Sequence, residues 1–381
     1  MFLSKETQLV AVDIGSHSIK VAQLARTKKA DQFELLSFGL MPLEEESVVD
    51  GVVKKPDEVA EALTQLIKAE KVQTRFAVSS VSGEAVIVKK IKVPVMSREE
   101  LVEAINHEAE QYIPFDIDDV RIDFQILEPS RDKSLAGFAK ESELETASDS
   151  DDLLEGDADD EGKMEILLVA VQKDIIESRT DVLLDAGLKP VIIDLDVFAM
   201  VRAAHLLRDP GTMGAVALVD FGDSFTHLNI LLDGVSVLVR DIPLGGGVCS
   251  RKMVSKLEIV ADQVTDLKLG KIPPNIESAD VIEIIVSNNE KILEELKKSF
   301  EFFNATSKAR VESMLISGGG ALIRGMDAYF SEKLKVPVEV LDPMKAIKVN
   351  PKQFDVEAIK VLSPLSAVAL GLATRRFDYA D

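Results

Sequence analysis

The chain has one cysteine, no tryptophan and three tyrosines in 381 residues. With Cys249 alone, no internal disulfide framework can form, so the fold rests on packing and suits a reducing compartment. Histidine is scarce as well: His17, His107, His205 and His227 are scattered without metal-site spacing, and no zinc site is expected. Positive charge is in deficit, with 44 Lys plus Arg against 66 Asp plus Glu and a formal charge of -22. That balance argues against sequence-independent nucleic-acid binding, which depends on basic side chains neutralising phosphates. Long apolar runs are missing too. Met1 to Val12 carries no run of signal-peptide length, and Ile166 to Val171 and Val361 to Leu372 fall short of the roughly 20 residues a bilayer demands. Membrane association is therefore expected only through a partner. Neither a Gly-x-Gly-x-x-Gly fingerprint nor a Gly-x-x-x-x-Gly-Lys-Ser/Thr loop occurs.

What is present is ample apolar content, 46% of residues, arranged in short strand-like runs and amphipathic helices. Leu9 to Val12 and Ser18 to Leu24 read as strands joined by the turn Asp13-Ile14-Gly15-Ser16-His17, followed by a strand near Phe33 to Leu40 and a helix opened by Pro56. Strands at Phe76 to Val81 and Glu84 to Val93 precede a helix whose start carries a Ser97/Glu100 capping box. The segment Glu128 to Lys163 holds thirteen acidic residues against four basic ones and reads as a solvated acidic insertion. A strand at Ile166 to Val171, a helix at Asp174 to Ala186, a strand at Val191 to Asp194 and a helix at Val197 to Leu207 follow.

From Ala215 the opening pattern returns: an apolar run, the turn Asp220-Phe221-Gly222-Asp223-Ser224, then strands at Thr226 to Leu232 and Val235 to Leu238. Helices are expected at Cys249 to Leu257, Val260 to Lys268, Val281 to Thr306, Ala321 to Phe330 and Leu365 to Thr374. Two more glycine-rich turns stand at Leu244-Gly245-Gly246-Gly247 and at Ser317-Gly318-Gly319-Gly320, the latter directly after the apolar strand Met314 to Ile316. An Asp-x-Gly-Ser turn between strands offers bare amides and hydroxyls to a phosphate and a carboxylate to a metal through water. Two such turns suggest two similar domains gripping one polyphosphate.

This order of elements resembles the actin-like ATPase superfamily, shared by actin, heat-shock chaperones, sugar kinases and the division protein FtsA. Within it, Leu9-Val10-Ala11-Val12-Asp13-Ile14-Gly15-Ser16-His17-Ser18-Ile19-Lys20-Val21, Lys92-Val93-Pro94, Glu108 through Tyr112-Ile113-Pro114-Phe115, and Asp241-Ile242-Pro243-Leu244-Gly245-Gly246 look like the type IV pilus assembly protein PilM family. The implied fold is α/β, actin-like (ribonuclease H-like) duplicated domains with an inserted FtsA/PilM-type βαββα subdomain. The implied domains are a first lobe at 1–81 with 189–208 and 356–381, and an inserted subdomain at 82–188 that includes the acidic 128–163. A second lobe covers 209–248 with 308–355, and a small helical subdomain 249–307.

The resemblance also implies ATP and magnesium as cofactors. Gly15, Ser16, His17, Ser18 and Lys20 would form the first phosphate loop, and Gly222, Asp223, Ser224 and Thr226 the second. Gly245 and Gly246 would line the nucleotide, Gly318, Gly319 and Gly320 with Arg324 would meet the nucleoside, and Lys268 the ribose and base. Asp13 and Asp220 would hold magnesium through water, and Asp196 would orient an attacking water. Asp223 adds a carboxylate near the phosphates, so it either requires magnesium, turns away or weakens ATP binding.

The implied function is a cytoplasmic, ATP-binding scaffold, at most a slow ATPase, in the inner-membrane platform of a type IV pilus. It would grip the N-terminal cytoplasmic peptide of PilN in a groove between the first lobe and the insertion, and link it to other platform and motor proteins. Two alternatives differ in class. A sugar or metabolite kinase needs a general base aimed at a substrate hydroxyl, and nothing in Ser82 to Leu188 looks like one. An FtsA-like filament protein needs a membrane-binding C-terminal helix, whereas the end Arg375 to Asp381 is short and acidic.

Overall fold

The computed structural model describes residues 8–27, 32–127, 163–307 and 309–375. The acidic segment 128–162 and the end 376–381 lie outside the described residues. β1 (Val10–Ile14), β2 (Ser18–Arg26) and β3 (Phe33–Pro42) form an antiparallel meander. The short hairpin β4 (Val48–Val49) and β5 (Val52–Val53) leads to α1 (Pro56–Ala69), which has Pro at its first turn and buries Val59, Ala60, Leu63 and Leu66. β6 (Phe76–Val81) then pairs parallel to β1.

The chain leaves this sheet for a smaller unit, residues 87–170, that is compact in its own right. It holds β7 (Val86–Pro94), α2 (Arg98–Glu110), β8 (Val120–Ile126) and β9 (Lys163–Gln172), with sheet order β7-β9-β8. The capping box forms as the sequence predicts: the Glu100 amide donates to Ser97 Oγ at 3.2 Å and the Ser97 amide to Glu100 Oε2 at 2.8 Å. Leu101, Ile105 and Ala109 of α2 pack on Ile91, Val93, Ile166 and Leu168, and Ile113 of the Tyr-Ile-Pro-Phe tract closes that core.

α3 (Lys173–Asp185) corrects the expected boundary of the insertion at 82–188. It belongs to the larger unit, where Val182 and Leu183 pack with α1 and β1. The reason is topological. β10 (Lys189–Leu195) lies parallel to β6, and parallel neighbours require a crossover connection, which α3 supplies. The insertion is therefore β-α-β-β, placed between β6 and its crossover helix. α4 (Asp196–His205) follows directly on β10.

The second half repeats this plan. β11 (Ala215–Phe221), β12 (Thr226–Leu232) and β13 (Val235–Ile242) form a second antiparallel meander. α5 (Gly246–Leu257) and α6 (Gln263–Lys268) come next, then the long α7 (Ser278–Thr306). The first half of α7 shares a core with α5 and α6 through Val281 and Ile284, while Ile292, Leu296, Phe300 and Phe303 pack on the second sheet. β14 (Ser313–Ser317) lies parallel to β11, and α8 (Met326–Leu334) is the crossover to parallel β15 (Val338–Val340). β16 (Ile347–Lys348) joins the outer edge of β3, and α9 (Val356–Leu362) and α10 (Ala367–Thr374) complete the described chain. Sheet order is β10-β6-β1-β2-β3-β16 in the first lobe and β13-β12-β11-β14-β15 in the second. Apart from β16, each lobe is an antiparallel meander whose first strand carries two parallel strands, the duplicated actin-like architecture.

The 19-residue helical run 356–374 contains an 18-residue stretch with a mean hydropathy of 1.6, so by length and composition it could span a bilayer, against the expectation from Val361 to Leu372 alone. In the fold, Ala367 to Ala373 are buried against α4. The backbones approach so closely that a Cβ on Gly371 would overlap the Ala199 carbonyl. Gly371→Ala should destabilise the protein by about 1–3 kcal/mol despite the better helix propensity of alanine, because two packed helices must separate. Urea unfolding checks this, and an unchanged midpoint would show that the helices yield freely.

Candidate functional site

Strand register builds the site. In the first lobe the β1–β2 pairing sets Lys20 directly across from Asp13, and Lys20 Nζ reaches Asp13 Oδ2 at 3.0 Å. In the second, β11–β12 sets His227 directly across from Asp220. The repeat thus places one cationic side chain opposite each loop aspartate, seven residues further on. His227, one of the four histidines scattered without metal-site spacing, is 8% exposed and bonds Asp241 at 2.6 Å through Nδ1. Asp241 in turn accepts the Gly83 amide at 2.6 Å.

Neighbouring polar groups complete the cluster. Ser317, in register with Asp220 on β14, donates its hydroxyl to Asp220 Oδ1 at 2.8 Å. Ser80 on β6 donates to Asp196, which heads α4. Asp194 is turned to Arg375 at 2.7 Å, so of the two closely spaced carboxylates only Asp196 joins the cluster. Burial raises the Asp13 carboxyl above its usual range; Lys20 opposes this, and the charges of Asp196 and Asp220 add to it. Burial works against the Lys20 ammonium as well, but Asp13, Asp220 and Asp196 outweigh it and keep Lys20 protonated.

The glycine turns of the second lobe interlock. The Gly246 and Gly247 amides donate to the Gly222 and Asp223 carbonyls at 2.9 and 2.8 Å, so the second loop rests on the start of α5. That helix begins at Gly246, three residues before the expected Cys249, and Thr226 Oγ1 fixes the turn through the Leu244 carbonyl at 2.7 Å. A Cβ on Gly247 would lie 2.7 Å from Asp223 Oδ2, which places the Asp223 carboxylate at the N-terminus of α5, where the helix dipole favours it. Lys268 Nζ reaches back to Ser250 Oγ at 2.7 Å and the Gly246 carbonyl at 3.4 Å. Burial lowers its pKa, with Asp223 among the charges opposing that.

Gly318 has a φ of 82°, and a Cβ there would meet the Phe221 carbonyl at 2.5 Å and Asp220 Oδ1 at 2.6 Å, so only glycine fits. Gly319 and Gly320 continue into a short 3₁₀ turn, not the expected helix from Ala321; α8 starts only after Gly325, whose φ of 81° breaks the run. Arg324 sits exposed at that break, its amide 3.4 Å from the Lys268 carbonyl. Ser16 and Ser224 are half-buried in their loops, Ser18 is buried at the head of β2, and His17 is exposed at the first turn.

A Cβ on Gly15 would lie 3.8 Å from Lys20 Nζ, and one on Gly246 would lie 3.6 Å from Lys268 Nζ, so each glycine stands within contact of an ammonium group that is itself bonded within the protein, Lys20 to Asp13 and Lys268 to Ser250. For magnesium, no group of three or more His, Cys, Asp or Glu among the described residues is placed to hold an ion directly. Asp13 and Asp220 are the available carboxylates, and each is already committed on one oxygen.

Missed by the sequence reading were His227 with Asp241, the serines Ser80 and Ser317, and Arg179 of α3, which donates to the Ile14 carbonyl at 2.6 Å. The seven-residue spacing shared by Asp13/Lys20 and Asp220/His227 was the available signal for His227. Burial disfavours the His227 cation, but Asp241, backed by Asp196 and Asp220, outweighs it and raises its pKa from 6.5 to about 9. A pKa raised on folding contributes stability that is complete below 6.5 and is lost as pH rises through about 9. His227→Gln should therefore lose most stability, relative to the parent, at or below pH 6.5, with the gap closing as pH reaches 9. Urea midpoints across that range would reject the pair's charge if the gap stayed constant.

The family pattern for type IV pilus assembly protein PilM matches residues 11–137 and 150–377. Among solved structures, one described as the PilM-PilN type IV pilus biogenesis complex superposes with a TM-score of 0.78 at 25% identity, covering 97% of this chain and 99% of that one. The ethanolamine utilization protein EutJ from Carboxydothermus hydrogenoformans superposes at 0.52 with 14% identity, covering 96% and 89%, a likeness of fold alone.

Proposed function

The chain belongs to the type IV pilus assembly protein PilM family, and we propose that it is a nucleotide-binding scaffold of the pilus assembly platform that binds PilN. The observation that carries this reading is the likeness to the PilM-PilN complex over nearly the whole of both chains. The finer statement is that it grips the N-terminal cytoplasmic peptide of PilN, works on the cytoplasmic side of the inner membrane, and meets the membrane only through that partner. An extended peptide supplies main-chain hydrogen bonds and alternate side chains, which suits a sheet-based scaffold.

The nucleotide is ATP. Its phosphates would lie against the loops Gly15 to Ser18 and Gly222 to Thr226, with Lys20 toward the first, and its nucleoside would reach Lys268, Gly318 to Gly320 and Arg324. Magnesium would be held through water by Asp13 and Asp220 and would neutralise phosphate oxygens. Asp196, fixed by Ser80, is the carboxylate that would orient a water for slow hydrolysis. Asp223 is not needed as a ligand, since its carboxylate sits against the start of α5.

Protein loaded with ATP and magnesium, freed of excess nucleotide and followed by chromatography should retain ATP intact over hours, and should then bind a PilN N-terminal peptide by titration. Absence of peptide binding would remove the scaffold reading; rapid conversion to ADP would replace it with a working ATPase. Asp223→Ala should bind ATP at least as tightly as the parent, because the variant removes a negative charge beside the second loop without removing a ligand. A large loss of affinity would make Asp223 a ligand.

A further inference from the structure

Arg179 is a buried cation that the nucleotide reading does not use. It stands on α3 at 3% exposure, within an otherwise apolar face that includes Ile175, Val182 and Leu183. Its Nη1 donates to the Ile14 carbonyl at 2.6 Å, and its Nε is buried with no partner. A guanidinium placed so deeply costs free energy unless charges around it compensate. The carboxylates that act on it are Asp196 and Asp13; burial lowers its pKa and they oppose that.

Ile14 is the residue before Gly15, so its carbonyl and the Gly15 amide belong to one peptide plane. That plane is held at both ends: the carbonyl by Arg179, the amide by the Ser18 carbonyl at 3.1 Å. The first loop therefore starts from a peptide that cannot rotate without breaking a charged hydrogen bond. A helix-to-sheet contact alone would be met by leucine or methionine, which carry no desolvation cost. The cation is explained if it does electrical work: Asp13, Asp196, Asp220 and Asp241 act on one another's cations in one cluster, and Lys20 and His227 alone leave those carboxylates in excess.

We propose that Arg179 is a positioning residue of the first phosphate loop, fixing the Ile14–Gly15 peptide and setting a positive charge behind the loop so that the cleft takes a nucleoside polyphosphate in preference to a monophosphate. This rests on the nucleotide reading above. The arginine touches the loop, not the ligand, so its effect scales with the ligand's negative charge.

The test is the affinity of the full chain for AMP, ADP and ATP with magnesium, measured by calorimetry for the parent, Arg179→Met and Arg179→Lys, with urea midpoints alongside. The expected result is a loss of about tenfold or more for ATP in Arg179→Met, a smaller loss for ADP and little for AMP, with partial recovery in Arg179→Lys. Losses equal across the three nucleotides, or a lowered urea midpoint with unchanged affinities, would overturn the inference and leave Arg179 as a packing residue. If Arg179→Met fails to fold, Arg179→Lys decides alone through the ratio of ATP to AMP affinity. A parent protein that binds none of the three overturns the nucleotide reading itself, and the inference with it.

Discussion

Asp13 is buried and Asp220 half-buried at the ends of buried strands, and a carboxylate withdrawn from water is tolerated only with a cation or a donor in reach. Strand register supplies both. Lys20 stands across from Asp13 and His227 across from Asp220, while Ser317 arrives at Asp220 from the parallel side. A slip of one residue in either meander would send each cation to the opposite face of its sheet and strand its aspartate. β1 and β11 are buried on both faces, with alternate residues packed into different cores, and the register this fixes therefore also holds the site together. Packing and chemistry are one constraint in this fold.

Charge at the site is distributed unevenly between the lobes. Lys20 and Asp13 form a closed pair, so the first loop presents mainly backbone. In the second, His227 turns to Asp241, and Asp241 also takes the amide of Gly83 in the first lobe. This hydrogen bond joins β13 to the end of β6 across the site, and Gly83 can make it because its φ of 109° lies where other residues rarely go. Glycine is used in the same spirit at Gly318, where the chain must cross directly over Asp220. The site depends less on how many glycines the turns contain than on these two places where a side chain would collide or strain.

Most of the architecture was legible in the sequence because it is written in short-range patterns. The returning Asp-x-Gly turns marked the duplication, Pro56 and Ser97 marked helix starts, and the tract from Glu108 to Phe115 marked the family. What was not legible depends on pairings distant in sequence. Nothing local in Lys173 to Asp185 says which sheet that amphipathic helix will cover; only the parallel pairing of β6 and β10 makes it a crossover. Ser80 and Arg179 look like a strand serine and a helix arginine until Asp196 and Ile14 are brought to them. At Gly246 and Gly325 the reverse holds: helix ends were misjudged because glycine both starts and stops helices, and only backbone geometry separates the cases.

The duplicated plan also accounts for where extra structure could enter. Each lobe needs a long connection after its third strand and a crossover before its last. The first lobe puts α1 in the former and admits the 87–170 unit just ahead of the latter, whereas the second spends α5, α6 and the first half of α7 on the former and keeps a bare α8 as its crossover. An insertion at either place leaves the strand register untouched, because the parallel pairing is made by the crossover helix and not by the loop that precedes it. That is why an independent β-α-β-β core, complete with its own capped helix, can interrupt the chain a few residues from Gly83 and a few residues before Arg179. The chain leaves the first lobe a few residues after Gly83, whose amide donates to Asp241, and α3 then returns it to that lobe, where Arg179 donates to the Ile14 carbonyl.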